Sequence, residues 1–436
     1  MINFLDSKKK NFYEEISSLG VLSGENTENI SASVSKIIAD IEKAGDEKLL
    51  EYTNLFDQRV EVSVDSLIIE KKTLEAAYLG LDEKIKKALQ IAHDRVWFYH
   101  ERQLEAFGSG LNWSYEDDQG NVLGQLVRGM ERAGIYVPGG KAAYPSTVIM
   151  TAIPARVAGV REIIACVPAP RGVCNKTVLA AAHLCGVDRV FSIGGAQAIA
   201  ALAFGTKLVP KVDKIVGPGN LYVAKAKEKL FGRVGIDMIA GPSEVVIVAD
   251  DTVDPLWVVQ DMFAQAEHDE LAQAIVVSAS QNVIDNVRQT IEEKIKDEQR
   301  RGIIEDALKD RGALIKVRDL KEALKVVNLL SPEHLQLSIK DAAGFAKNVE
   351  NAGAVFVGAS TTEAVGDYAA GPSHVLPTNG TARFSSPLGV YDFQTRTSVI
   401  ECSKEGSKSL NRTASIIALE EGLFSHSKSA ALRSEE

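Results

Sequence analysis

The sequence predicts an α/β protein built on two parallel sheets, with a short helical arm before them and a helical tail after. Three observations lead there. From about residue 130 onward, β-branched runs alternate with helical segments of roughly ten to fifteen residues, the pattern of parallel βα units. The strand candidates fall into two series, those of the first each followed by Gly or Pro and then a helix, so two sheets fit better than one. A chain of 436 residues, 45% hydrophobic and 25% charged, has enough apolar material for two or more cores.

In chain order, a short polar arm precedes Ile30, Val34, Ile37, Ile38 and Ile41, whose spacing marks an amphipathic helix that Gly45 ends or bends. A second helix is expected over Asp46 to Phe56. The stretch from about Lys72 to Phe107 is again helical and rich in aromatics, with His93, Trp97, Tyr99 and His100 together. Flanked by Arg95, Glu101 and Arg102, those histidines read as surface or helix-packing residues. The first strand series is Gly134 to Val137, Glu162 to Val167, Arg189 to Ile193 and Lys214 to Val216. The second is Val245 to Ala249, Ala274 to Ser278, Ala313 to Val317, His334 to Ile339 and Ala354 to Val357. Between Gly371 and about Arg396, Pro372, Pro377, Gly380, Pro387 and Gly389 break any regular pattern and predict a long extended connection. A last helix, roughly Ser407 to Leu423, is too short to form its own core, and Ser425 to Glu436 reads as a polar tail.

A formal net charge of -10, with no basic block beyond Lys8-Lys9-Lys10, argues against nucleic acid as a partner. The N-terminus lacks a charged segment followed by a long apolar run, and nothing later approaches a membrane span. A cytoplasmic protein is expected. Cys166, Cys174, Cys185 and Cys402 show no CxxC spacing and read as reduced thiols, with Cys166 inside an apolar run as a small core residue.

Three turns look fit to receive phosphate: Pro138-Gly139-Gly140, Gly194-Gly195-Ala196-Gln197 and Gly217-Pro218-Gly219-Asn220. Glycine lets the backbone approach a ligand closely, and free N–H groups at a helix start attract anionic oxygens. None matches the full dinucleotide fingerprint, because Tyr222 stands where a third small residue belongs. Each could equally be a tight strand-to-helix turn.

Gln265 and His268, in Gln265-Ala266-Glu267-His268, share one face of a helix marked by Leu256, Val259, Met262, Phe263 and Ala266. An amide oxygen and an imidazole three residues apart could form half of a zinc site; alone, they could also be a surface Gln beside a satisfied His. Downstream come Ser331-Pro332-Glu333-His334-Leu335, then Gly366-Asp367-Tyr368 running on to Ser373-His374, and finally Glu421-Gly422-Leu423-Phe424-Ser425-His426. For both Glu333 and His334 to meet one substrate, the pair must lie at a strand start, since adjacent residues within a strand point to opposite faces.

These segments, with AGIYVPGG, GGAQAIAALAFG, KVDKIVGPGN, GPSEVVIVAD, QAEHD, SPEHLQ, GDYAAGPSHVLPT and EGLFSH in this order, resemble the histidinol dehydrogenases end to end. The resemblance implies two incomplete, Rossmann-like domains of the aldehyde-dehydrogenase kind. It divides the chain into an N-terminal arm (1–24), a discontinuous zinc-binding catalytic domain (25–135 and 245–388), an NAD-binding domain (136–244) and a dimerisation tail (389–436). It implies one Zn2+ per subunit on Gln265, His268, Asp367 and His426. Glu333 and His334 become the acid–base pair: His334 accepts the alcohol proton, and Glu333 activates the water that hydrates the aldehyde. Ser243, His374 and Glu421 are implied substrate contacts, together with His334 and the metal-ligand positions; Tyr136, Gln197 and Asn220 are implied NAD contacts.

The implied reaction is the four-electron oxidation of L-histidinol to L-histidine through histidinaldehyde with two NAD+, in a homodimer whose tails complete each other's sites. The alternative is a related zinc- and NAD-dependent dehydrogenase acting on another small polar alcohol, such as a sulfonated diol. A zinc hydrolase, with Glu333 beside a metal, is the reading from another class, and the glycine turns argue against it.

Overall fold

The computed structural model describes residues 2–19, 27–106, 112–139 and 143–434. Among them, the first six-stranded sheet runs in the order Ile68–Ile69, Arg189–Phe191, Glu162–Cys166, Arg132–Tyr136, Lys214–Val216, Gly235–Ile236. All neighbours in it are parallel except the two-residue edge strand Ile68–Ile69. The second runs Asn3–Asp6, Ala313–Lys316, Gln273–Ser278, Glu244–Ala249, His334–Ser338, Ala354–Val357, parallel throughout. In each, once an earlier segment has supplied the edge strand Ile68–Ile69 or Asn3–Asp6, the chain starts near the middle, winds to one side, then returns to extend the other. That is the doubly wound order of an incomplete Rossmann-like unit, met twice.

Alternation along each strand makes both faces apolar, as a sheet covered on both sides requires. Ala133, Ile135, Ile163 and Ala165 face one core; Tyr136, Ile164 and Cys166 face the other. In the second sheet Val246 and Val248 face one core, and Val245 and Ile247 the opposite one. Cys166 is fully buried, as its apolar setting implied, and all four cysteines are free thiols.

The nine expected strands all form, and helix Asp46–Phe56 has the bounds read from the sequence. Helix Thr27–Ala44 stops before Gly45, and the long aromatic-rich segment is two helices, Lys71–Leu79 and Glu83–Ala106. Its last expected residue, Phe107, lies outside the described residues. His100 is a buried packing residue whose Nδ1 lies 2.8 Å from Val96 O, a carbonyl of its own helix.

Four expectations are corrected. Grouping 25–135 with 245–388 does not match the packing: Val34, Ile37, Ile41 and Leu49 fill one core of the first sheet, and Leu74, Leu89 and Val96 the other. An apolar helix face shows that a helix must cover something, not which sheet it covers. The described part of the N-terminal arm is not only helical, because Asn3–Asp6 pairs with Ala313–Lys316 and Phe12 and Ile16 enter that sheet's core. The extended connection returns to the first unit, burying Val375, Leu376, Leu388, Val390 and Phe393 there, and by Gln394 it is already a strand. That strand, Gln394–Glu401, joins Val122–Gly129 and Trp113–Glu116 in a small antiparallel sheet. The tail itself is a pair of helices, Lys404–Glu420 and Phe424–Ser434, the second lying where a polar tail was expected. Among the described residues no helix is long and apolar enough to cross a membrane.

Candidate active site

Strand ends of the two sheets face each other across one cleft. The strands Arg132–Tyr136 and Lys214–Val216 point their carboxyl ends at a cleft, while Glu244–Ala249 and His334–Ser338 present their amino ends to it. The cleft holds about 660 Å³ and is lined from the first unit by Tyr136, Pro138, Gly139, Pro218, Gly219 and Asn220. From the second unit come Ser243, His268, Glu333, His334, Asp367 and His374. Ligands of open α/β sheets bind outside the carboxyl ends of strands, so the first unit offers the nucleotide-type wall and the second the chemically reactive one.

On the first wall, Gly217 sits at φ +112, and a Cβ there would collide with the Tyr136 carbonyl, so only glycine fits. Both backbone groups of Gly217 are held: its N–H donates to Asp237 Oδ2 at 2.7 Å, and its carbonyl accepts from Lys227 Nζ at 3.1 Å. Lys227 and Asp237 also pair with each other, both buried. The turn is thus clamped in place before any ligand arrives. Asn220 caps the next helix, its side chain accepting from the N–H groups of Tyr222 and Val223 at 3.1 and 3.2 Å. The Gly194 turn lies behind this surface, with Gly195 N–H donating to Tyr136 Oη at 3.0 Å. Gln197 is buried there and does not line the cleft; neither end of its amide has a hydrogen-bond partner. Gly140, the end of the third expected turn, lies outside the described residues.

On the second wall, the register pairs Val245 with His334, bringing the starts of two strands level. The Glu244 residue then serves both members of the expected acid–base pair. Its N–H donates to Glu333 Oε2 at 2.8 Å, and its carbonyl lies 3.0 Å from His334 Nδ1. A carbonyl can only accept, which puts a proton on Nδ1; Nε2 lies 3.6 Å from Asp367 Oδ1, buried and without a hydrogen-bond partner. Glu333 and His334 are both buried. Burial pushes the Glu333 carboxyl up to about 8 against the opposing pull of His334. For His334, burial disfavours the charged ring, but the carboxylates of Glu363, Glu333 and Asp367 outweigh it and hold its pKa well above the usual value. For Asp367, burial works upward and is outweighed by His334, with His374 and His268 adding to the downward shift.

Gln265 lies in the last turn of the helix Pro255–Ala266 and is fully buried; its amide is 3.0 Å from His268 Nδ1. The orientation that satisfies both ends puts Oε1 toward His268 and Nε2 toward Glu363, 3.0 and 3.2 Å from its two oxygens. Burial lowers the pKa of His268 and of His374, favouring the neutral imidazole that binds metals and substrates. Asp367 projects from the short helix Glu363–Tyr368, which packs close to the strand Ala354–Val357 because Gly366 has no Cβ to meet the Phe356 ring. Carboxylate, imidazole and amide oxygen form an N/O donor set with no thiolate, and it fits a catalytic zinc ion. Ligand atoms of His334, Glu363 and Asp367 also lie within 4.8 Å of one another.

Besides Gln197, two further expected site residues are elsewhere. Glu421 and His426, in the tail, are exposed and do not line the cleft of their own chain. Conversely, the structure brings in Glu363, which motif reading passed over. Its signal was present: Glu363 and Asp367 are four apart on one helix, hence on one face. The backbone of Glu244 had no such signal, because its role belongs to a peptide group.

A profile of the histidinol dehydrogenase family matches residues 22–434. The chain belongs to the histidinol dehydrogenase family. Histidinol dehydrogenase from Chromobacterium violaceum is 50% identical over 432 residues, covering 99% of this chain and 98% of the relative. That from Burkholderia pseudomallei is 52% identical, with 99% and 97% covered. The crystal structure of histidinol dehydrogenase from Elizabethkingia anophelis superimposes with a TM-score of 0.90 at 31% identity, over 99% of this chain and 98% of that one. A betaine aldehyde dehydrogenase from Staphylococcus aureus, 12% identical with a TM-score of 0.50 over 90% of this chain and 88% of its own, shares the fold alone. Among the described residues of this histidinol dehydrogenase family member, no cysteine lines the cleft.

Proposed function

We propose that this protein oxidises L-histidinol to L-histidine through histidinaldehyde, reducing two NAD+ in succession, with zinc held by Gln265, His268, Asp367 and the His426 of a second copy. The observation that carries this reading is the cleft itself. One wall is a clamped glycine turn at the carboxyl ends of a Rossmann-like sheet, and the other presents Glu333, His334, His268, Asp367 and His374 together. Bound zinc supplies Lewis acidity and a fixed point for the substrate's amino and imidazole nitrogens, and NAD+ accepts the hydride.

His334 Nε2, without a hydrogen-bond partner, takes the hydroxyl proton once a bound metal cation offsets the neighbouring carboxylates that raise its pKa, because hydride leaves more readily from an alkoxide than from an alcohol. The second oxidation needs a hydrated aldehyde. Glu333, beside His334, takes the proton from the attacking water, the step for which the cleft has no thiol. Ser243 and His374 hold the substrate, and Tyr136, Gln197 and Asn220 serve the NAD side. Glu421 and His426 act in a second copy's cleft, so the working unit is a homodimer.

NADH formation, followed by absorbance with histidinol as substrate, tests the reading. The expected yield is two NADH per histidinol, lost on chelation and restored by zinc. Absence of NADH from metal-loaded protein overturns the proposed activity; full turnover after complete metal removal overturns the zinc assignment.

A further inference from the structure

Glu363 is buried within the site but is absent from the cleft's lining. In the amide orientation that satisfies both ends, its two carboxylate oxygens lie 3.0 and 3.2 Å from Gln265 Nε2, nearer than the Glu244 carbonyl at 3.3 Å. A glutamine amide has two ends of nearly equal shape and opposite chemistry. Only the oxygen can bind a metal, since the NH2 group is a donor without a free lone pair. Nothing in the helix Pro255–Ala266 decides which end faces outward, because either end satisfies the side chain's rotamer. A carboxylate beside one end does decide it, as it accepts hydrogen bonds and offers none when ionised.

We propose that Glu363 is a positioning residue: by binding the NH2 end of Gln265, it keeps the amide oxygen on the side of His268 and Asp367, ready to ligate the metal. This rests on the metal reading above. Asp367 leaves the same helix four residues later, so one rigid turn supplies both a ligand and the group that orients another ligand. Groups that orient metal ligands typically change metal affinity by about 10- to 100-fold when removed.

The test exchanges the two side chains in the full-length protein and measures zinc affinity by competition with a chromophoric chelator. Glu363→Gln can offer its own NH2 or its oxygen to Gln265 and so loses the discrimination; zinc binding is expected to weaken at least tenfold. Adding Gln265→Glu to that variant replaces the amide ligand with a carboxylate, whose two oxygens are equivalent and need no orienting. The exchanged pair is therefore expected to recover most of the affinity. Affinity of Glu363→Gln within twofold of wild type overturns the proposal, as does an exchanged pair no better than the single variant, which would make Glu363 itself a ligand. If Glu363→Gln does not fold, the exchanged pair decides alone: zinc retention supports the proposal, and its loss overturns it. Wild-type protein that binds no zinc removes the metal reading and this inference with it, a result distinct from equal binding by wild type and variant.

Discussion

The peptide groups of Glu244 organise the reactive wall at the scale of single residues. An N–H to Glu333 and a carbonyl to His334 hold the acid–base pair without spending a side chain on it. The two partners consequently differ in what a substitution can test. Glu333→Gln keeps an oxygen for the Glu244 N–H and removes only the basic charge. Aldehyde oxidation should fall by roughly 10²- to 10⁴-fold, the usual contribution of a general base, while alcohol oxidation falls much less. Separate assays with histidinaldehyde and histidinol measure the ratio. An equal loss on both substrates would mean that Glu333 does not activate water.

Among elements, the N-terminal arm depends on one buried carboxylate in the second unit. Glu322, in the helix Leu320–Leu330, accepts from Arg318 N–H at 2.7 Å, from Arg318 Nε at 3.0 Å and from Tyr13 Oη at 3.4 Å, tying the arm's helix Phe12–Leu19 to the sheet's cover. Burial opposes the charge of Glu322, but the hydrogen bonds from Arg318 outweigh it and bring its pKa from 4.5 to about 2. A pKa lower in the folded state means that stability is present above the unfolded value and lost as pH falls through the folded one. Glu322→Gln should therefore cost about 2 kcal/mol at neutral pH, the scale of hydrogen bonds to a charged group. That difference should shrink as pH falls from 4.5 toward about 2. Urea midpoints of both proteins at pH 7 and at acid pH provide the comparison, and a pH-independent difference would assign the loss to packing.

For the whole molecule, the decisive feature is a tail that does not reach its own cleft. The helices Lys404–Glu420 and Phe424–Ser434 pack chiefly on each other, leaving Ile416, Ile417, Leu419, Leu423, Phe424 and Leu432 exposed. Such a surface is costly in water, and the proposed homodimer would cover it with a second copy. In a dimer with exchanged tails, His268→Ala and His426→Ala proteins are each inactive. A mixed dimer has one site with both histidines and one with neither. Random reassortment makes about half the dimers mixed, so activity should return to roughly a quarter of wild type. Co-refolding the two variants and sizing the product checks this; confirmed dimers without activity would exclude a shared site.

Much of this molecule was determined by the sequence alone, and the reason is that the signals are local. Alternation sets a strand's two faces, and His334 at a strand start follows from Pro332 and the apolar run after it. Gln265 and His268 meet because helix geometry brings residues three apart together. What only the tertiary structure decided is non-local. The apolar faces of Thr27–Ala44 and Glu83–Ala106 demand cover, yet the choice of the first sheet rests on shape and register across the chain. Asn3–Asp6 carries too few residues for a pattern and becomes a strand because the edge at Ala313–Lys316 is open to pairing. Glu363 reads as an ordinary helix-start acid until folding sets it beside Gln265. The opposition of one sheet's carboxyl ends to the other's amino ends, which makes the cleft, is written in no segment; it follows from how two separately wound units pack.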